Sequence, residues 1–255
     1  MLDLHVHLLG HLDREVTPEN IAEFLRRAQA TRLKQIGFAD HDMYWENLNL
    51  DMIRNVALDY PQLQIRVGLE VDYLEGKEKQ IKEMIDSYPF DYIIGSVHQI
   101  GDWCFDFPEE EPRHRQWDAD DLYQAYFRLV EKAATSGLFD VIGHFDLIKI
   151  FNIRPRTDVR MLAARALEAV KDCGLVLEIN TNGRYKPVQE FYPEFKLVEL
   201  ANQMEILFTL GSDAHEASVV GRDVQEACQW LRILGIKKIS GFTGGKKQIF
   251  ELQDV

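Results

Sequence analysis

Short runs of apolar, β-branched residues recur along this 255-residue chain, and residues of one chemical kind end nearly all of them. Six of the eight histidines occupy such places: His5 and His7 in LDLHVHLLG, His41 in GFADHD, His98 in IIGSVHQ, His144 in VIGHFD and His215 in LGSDAH. Glu70 ends another run in IRVGLEVDY, and Asp213 stands two residues before His215. One polar residue at a strand end constrains nothing. A series of imidazoles and carboxylates in the same register demands an architecture that gathers those ends, because these atoms are the ligand set of zinc, iron and manganese.

The pattern around these positions predicts strands over 2–5, 35–39, 65–71, 92–96, 141–143, 175–179 and 206–210, with a weaker eighth over 238–241. Amphipathic helical stretches lie between them. Thr17 is placed as an N-cap with Pro18 at the first helical position, and Ile21, Phe24 and Leu25 share one face. Segments 118–136, 158–172 and 194–202 read likewise, and Gly137 and Gly174 are natural stops before the next strand. Such β–α repeats without a composition break imply one domain over 1–255 with a parallel sheet. An open doubly wound sheet announces itself by a glycine-rich turn after the first strand, where this chain has HVHLLGH. A barrel sets all its strand ends around one mouth. Candidate ligands follow six or seven strands, so the expected fold is an α/β barrel.

A formal charge of −13 argues against broad binding to a phosphate backbone, so no nucleic-acid partner is expected. No window approaches a membrane span, and the start MLDLHVHLLGHLDRE lacks the positive region of a signal peptide. Cys104, Cys173 and Cys228 form no CxxC pair and are read as reduced, mostly buried thiols. A cytoplasmic protein with no membrane partner is expected; the sequence is silent on oligomeric state.

His5 and His7 are two apart on a strand end, so both rings face one side and can grip one ion. Asp213 and His215 repeat that spacing after the last strong strand. Glu70 is the natural bridging carboxylate, since its two oxygens can hold two ions about 3.5–4 Å apart. The loop after His7 offers His11 and Asp13 as further ligands, without deciding between them. His114 follows no strand and is read as a surface or lid residue. Arginine suits phosphate through its planar fork, which makes Arg184, after Asn180-Thr181, the first candidate, with Arg154 and Arg156 next. The stretch from Trp103 to Glu111, stiffened by Pro108 and Pro112, is either a lid or a solvated acidic loop.

In order, HxH, a DH at His41, Glu70, His98, His144 and DxH resemble the PHP (polymerase and histidinol phosphatase) family, over residues 3 to about 221. The similarity is greatest to monofunctional histidinol-phosphate phosphatases. It is carried by Gly95-Ser96-Val97-His98 with Trp103, Phe105, Asp106 and PEEE, and by Ile179-Asn180-Thr181-Asn182-Gly183-Arg184-Tyr185-Lys186 with Tyr192-Pro193. The first loop, LLGHLD, departs from the family's loop, and Arg184 stands one position from the family's arginine.

The resemblance implies a distorted (β/α)7 barrel holding two or three divalent metal ions (zinc, manganese or iron). One ion would take His5, His7, Glu70 and Asp213, a second Glu70, His98 and His144, and a third His41, His215 and either Asp13 or His11. The implied reaction is hydrolysis of L-histidinol phosphate, in histidine biosynthesis, by a metal-bridging hydroxide, with Glu70, Asp213 and His215 catalytic and Arg184 or Arg154 on the phosphate. A nucleotide, sugar phosphate or phosphotyrosine substrate is the alternative within the same chemistry. A non-catalytic metal-binding module is the alternative of another class, and it would need closed sites where catalysis needs an open position.

Overall fold

The computed structural model describes residues 1–252. Its strands are β1 (Leu2–Val6), β2 (Gln35–His41), β3 (Gln64–Asp72), β4 (Tyr92–Ser96), β5 (Gln99–Ile100), β6 (Trp103–Cys104), β7 (Val141–Ile142), β8 (Val176–Asn180), β9 (Leu207–Gly211), β10 (Lys238–Thr243) and β11 (Lys246–Glu251). Its helices are α1 (Pro18–Ala30), α2 (Leu50–Ala57), α3 (Glu78–Asp86), α4 (Glu111–His114), α5 (Ala119–Thr135), α6 (Val159–Asp172), α7 (Phe195–Gln203) and α8 (Val224–Ile233). Seven strands form one parallel sheet in the order β1-β2-β3-β4-β7-β8-β9. The result is a nearly closed barrel with flanking helices.

The seam between β9 and β1 is closed by a short bridge and by one side chain. Val6 pairs with Ala214, and His7 N donates to Ala214 O at 2.8 Å. Asp3, fully buried, accepts from Ser212 N at 2.9 Å, Ser212 Oγ at 2.5 Å and Gly221 N at 2.8 Å. Its carboxylate supplies acceptors where a complete ladder would have supplied carbonyls. The loop bearing Asp213 and His215 is thereby tied to the strand bearing His5.

The inside of the barrel is filled by Tyr92, whose hydroxyl donates to Leu4 O at 2.6 Å. A Cβ at Gly37 would lie 2.0 Å from the Tyr92 hydroxyl oxygen, and one at Gly68 2.5 Å from its ring. Glycine at these two strand positions is therefore a packing requirement. Outside, the helices bury one stripe each. In α5 it is Leu122, Tyr123, Tyr126, Phe127, Val130, Ala133 and Ala134, at helical spacing. Asp118 caps α5 by accepting from Asp120 N, and Thr17 caps α1 by accepting from Asn20 N at 3.2 Å, with Pro18 in its first turn.

The weaker eighth strand exists but is no β–α repeat. β10 pairs antiparallel with β11, and this hairpin crosses the base of the barrel. Phe242 stacks on Tyr92 at 5.3 Å, while Gln35, Arg66 and Asp91 bond to the backbone of residues 242–244. β10 buries Ile239 to Phe242 in one run while β11 alternates, and the hairpin serves as a plug. Only Cys228 of the three cysteines is buried; Cys173 is exposed and Cys104 intermediate, so the expectation of mostly buried thiols is corrected. Among the described residues no helix is long and apolar enough to cross a membrane.

Candidate metal centre

The ligand candidates stand at the strand ends of one mouth. His5 lies in β1 and His7 one residue beyond it; His41 ends β2, and Glu70 lies beside it in register on β3. His98, His144 and Asp213 each follow their strand by two residues. Parallel pairing brings these strand ends around one mouth, although the register slips between β1 and β2.

Glu70 is the centre of the arrangement, and it is 2% exposed. Its Oε2 lies 2.9 Å from His41 Nδ1, 3.3 Å from His5 Nε2 and 3.6 Å from His7 Nε2. Its Oε1 lies 2.9 Å from His144 Nε2 and 3.6 Å from His98 Nε2, and accepts from Ser96 Oγ at 2.7 Å. One carboxylate thus faces two sets of imidazoles with two different oxygens. Asp213 Oδ1 lies 3.1 Å from His7 Nε2 and 3.9 Å from His5 Nε2, and its Oδ2 accepts from Asn182 Nδ2 at 3.2 Å and Asn180 Nδ2 at 3.4 Å.

Three groups of ligand atoms are compact enough to hold an ion: His5, His7 and Glu70; Glu70, His98 and His144; and His7, His41 and His215. The first and third share His7, and the first and second share Glu70. His11 stands beside the third group, its ring 4.5 Å from that of His215 and 5.6 Å from that of His41. Asp13 turns away: it is exposed, and accepts from His11 N at 3.2 Å and Arg14 Nη1 at 3.2 Å.

Behind the ligand atoms stand carboxylates that the sequence reading missed. His5 Nδ1 donates to Glu178 Oε1 at 2.7 Å, and Glu178 Oε2 accepts from His144 N at 2.8 Å. His98 Nδ1 donates to Asp72. His215 Nδ1 donates to Asp213 O at 3.1 Å. Each fixes a ring and leaves its other nitrogen toward the centre, as metal-ligating histidines are held. His5 Nε2 and His215 Nε2 are buried with no hydrogen-bond partner among the described residues. A buried nitrogen without a partner costs about 1–3 kcal/mol. A cation at these atoms removes that cost, so the residues present fit divalent metal ions.

The charges are mutually dependent. Burial works against an ionised Glu70, yet His5, His41 and His144 hold its carboxyl well below the usual range. Burial likewise opposes a proton on His5 and on His98. Glu178, Glu70 and Asp213 nevertheless raise the first well above the ordinary histidine value, and Asp72 and Glu70 the second. Burial and the neighbouring His215 push His7 well below it.

The centre opens into a cavity of about 390 Å³ whose walls include Asp106, Asn182, Lys186, Tyr192, Glu216 and Arg222. Arg184 and Arg154 do not line it. Arg184 is held by Glu226 at 2.5 and 2.6 Å and lies over the Phe191 ring, while Arg154 pairs with Glu190 at 2.8 Å and Glu194 at 2.9 Å. Arg156 pairs with Asp118 at the surface. These carboxylates lie at least 36 residues away in sequence, at distances that no local pattern reveals. His114 is corrected too: it is fully buried, with Nε2 2.7 Å from Phe105 O and its ring among Trp103, Phe105 and Phe151. It anchors the 103–111 stretch from beneath. Trp103 donates to Glu110 at 2.8 Å, and that stretch presents Asp106 to the cavity.

Comparison with known proteins agrees with this geometry. The profile of the PHP domain family matches residues 3–182. The chain is 36% identical over 252 residues to a probable histidinol-phosphatase of Deinococcus radiodurans, covering 93% of this chain and 94% of that one. It is 33% identical to the histidinol-phosphatase of Bacillus subtilis over 178 residues, 63% of this chain and 66% of that one. The crystal structure of histidinol phosphate phosphatase from Lactococcus lactis, complexed with zinc, L-histidinol and phosphate, superposes with a TM-score of 0.80 at 25% identity, covering 97% of this chain and 98% of that one.

Proposed function

The chain belongs to the PHP domain family, and on that footing we propose that it is a metal-dependent phosphatase hydrolysing L-histidinol phosphate to L-histidinol and phosphate. The reaction belongs to histidine biosynthesis, and the cytoplasm is its place. The observation that carries the reading is Glu70, whose two oxygens face separate histidine sets on the floor of an open cavity. A purely structural metal site closes its coordination within the protein, whereas this one adjoins space for a small ligand.

Two or three divalent ions, zinc first among them, are held as the compact groups suggest. His5, His7, Glu70 and Asp213 take one ion; Glu70, His98 and His144 take a second. His7, His41 and His215, with His11 alongside, take a third. When bound, such ions neutralise phosphate oxygens and lower the pKa of water toward neutrality.

The protein's own groups do the positioning. Glu178 and Asp72 hold the rings of His5 and His98 in one tautomer, and Asn180 and Asn182 hold Asp213 at the cavity wall. There the Asp213 carboxylate, held well below the usual range by His5 and His7 against the effect of burial, would take the proton of the water that attacks phosphorus and return it to the departing alkoxide oxygen, with His215 the neighbouring alternative. Asp106 offers a carboxylate to the substrate's ammonium group from the opposite segment. The apolar walls Leu147, Ile150 and Val219 limit water around the reacting centre.

The test is a chelator-stripped protein reloaded with zinc, manganese or iron and assayed against a phosphomonoester panel. Activity vanishing on stripping, returning on reloading, and favouring histidinol phosphate over p-nitrophenyl phosphate and nucleotides is expected. Equal rates across the panel sink the substrate assignment.

A further inference from the structure

A phosphate monoester needs cationic donors beyond the metal ions, and the two arginines placed for that task by sequence order are already neutralised. Arg184 is clamped by Glu226, and Arg154 by Glu190 and Glu194. Glu226 engages both Nη groups of Arg184 and offsets its charge at 2.5–2.6 Å, away from the cavity lining, which leaves that guanidinium less available to a dianion there. Arg222 is in the opposite condition. It lines the cavity of the metal centre, and among the described residues no carboxylate forms an ion pair with it.

Its position is nonetheless fixed. Arg222 Nη2 donates to Asn182 Oδ1 at 2.9 Å, and its guanidinium carbon lies 3.5 Å from the centroid of the Tyr185 ring. Its backbone carbonyl accepts from Thr181 Oγ1 at 2.7 Å, and Gly221 N before it donates to Asp3 at 2.8 Å. Arg222 Nε is buried and has no hydrogen-bond partner among the described residues. A second unused donor, the Tyr192 hydroxyl, lies on the same cavity wall. Lys186 is the other cation there, but it is exposed and carries its charge on a flexible stem. A stacked, charge-unpaired guanidinium with a free donor is organised for an anion that the protein itself does not supply.

We propose that Arg222, from the loop after β9, is the guanidinium that grips the phosphoryl group of the substrate, in the role sequence order gives to Arg184. The assignment rests on the phosphatase reading above and adds the residue that reads the phosphate. Asn182 links Arg222 to Asp213, so the phosphate grip and a ligand of the metal centre share one support.

The experiment compares wild type, R222A and R222K, each loaded with zinc to equal stoichiometry. It measures inorganic phosphate affinity by titration calorimetry beside KM and kcat for histidinol phosphate. R222A should weaken phosphate binding and raise KM by about 10- to 100-fold, the range for losing a charged hydrogen-bond partner. R222K should recover only part of the loss, because an ammonium lacks the planar fork. Unchanged phosphate affinity in R222A overturns the proposal. So does loss of zinc from R222A with wild-type phosphate affinity restored by excess zinc, which would make Arg222 only a prop for Asp213. A protein that binds phosphate through Arg222 yet leaves histidinol phosphate intact sinks the substrate assignment while upholding the arginine.

Discussion

At the base of the barrel Gln35 is fully buried, and both ends of its amide are used. Its Nε2 donates to Gln64 Oε1 at 2.9 Å and Phe242 O at 3.2 Å, and its Oε1 accepts from Phe242 N at 3.1 Å. At the mouth His5 is just as buried, yet its Nε2 has no hydrogen-bond partner among the described residues and faces two carboxylates. The same fold therefore satisfies buried polar groups at one end and leaves them unused at the other. Barrels divide stability and chemistry between their two faces in this way. The base is held by a hairpin the chain supplies; the mouth is completed by what it binds.

Three substitutions probe that division. Glu70→Gln at the mouth should have the largest effect, because one side chain serves two ligand groups. Metal analysis should find both ions weakened together, and kcat should fall by more than the 10- to 100-fold typical of residues behind the ligands. Survival of full activity would break the bridging role. Glu178→Gln comes next. It should cost about 10- to 100-fold in zinc affinity or activity, since Glu178 orients the His5 ring and holds the His144 backbone without itself joining a ligand group. Because Glu178, Glu70 and Asp213 raise the pKa of His5 well above its ordinary value against the effect of burial, the metal-free ring holds its proton to higher pH than an ordinary histidine. Zinc must displace it, so calorimetry in buffers of different ionisation enthalpy should record proton release, reduced in Glu178→Gln. Equal release in both proteins would remove Glu178 from that role.

Gln35→Leu at the base should be the smallest in its effect on chemistry. It strands the Phe242 N–H, while Arg66 still serves the Phe242 carbonyl, and should destabilise the fold by about 1–3 kcal/mol, several degrees in Tm, with kcat and zinc content unchanged. A fall in kcat without a fall in Tm would show that the two ends are not separable.

Much of the mouth was legible in the sequence because its signal is local. A histidine or glutamate closing an apolar run is conspicuous, and parallel strands turn such strand ends into neighbours in space. His5, His7, His41, Glu70, His98, His144, Asp213 and His215 could all be picked out that way, and all gather around one centre. Glu178 was overlooked although a clue was present: a charged residue within the apolar run VLEIN is costly to bury unless something needs it. Asp72, two residues beyond Glu70, carried the same kind of clue.

The arginines were not legible. Arg184 follows a strand end as the histidines do, but its partner Glu226 lies 42 residues onward on α8. Arg222 follows no predicted strand directly, and its merit is the absence of such a partner. Likewise the exposed Asp13 and the buried His114 differ from their sequence reading through the turn of a loop and the aromatic packing beneath it.

The sequence by itself determined a run of seven or eight β–α repeats, the expectation of a barrel, and the imidazoles and carboxylates around its mouth. These follow from short-range patterns of hydrophobicity and from the fixed geometry of parallel strands. Only the tertiary structure decided which polar groups are spent on one another and which remain for a ligand. Ion pairing and burial depend on contacts between residues far apart in the chain, and no spacing rule encodes those.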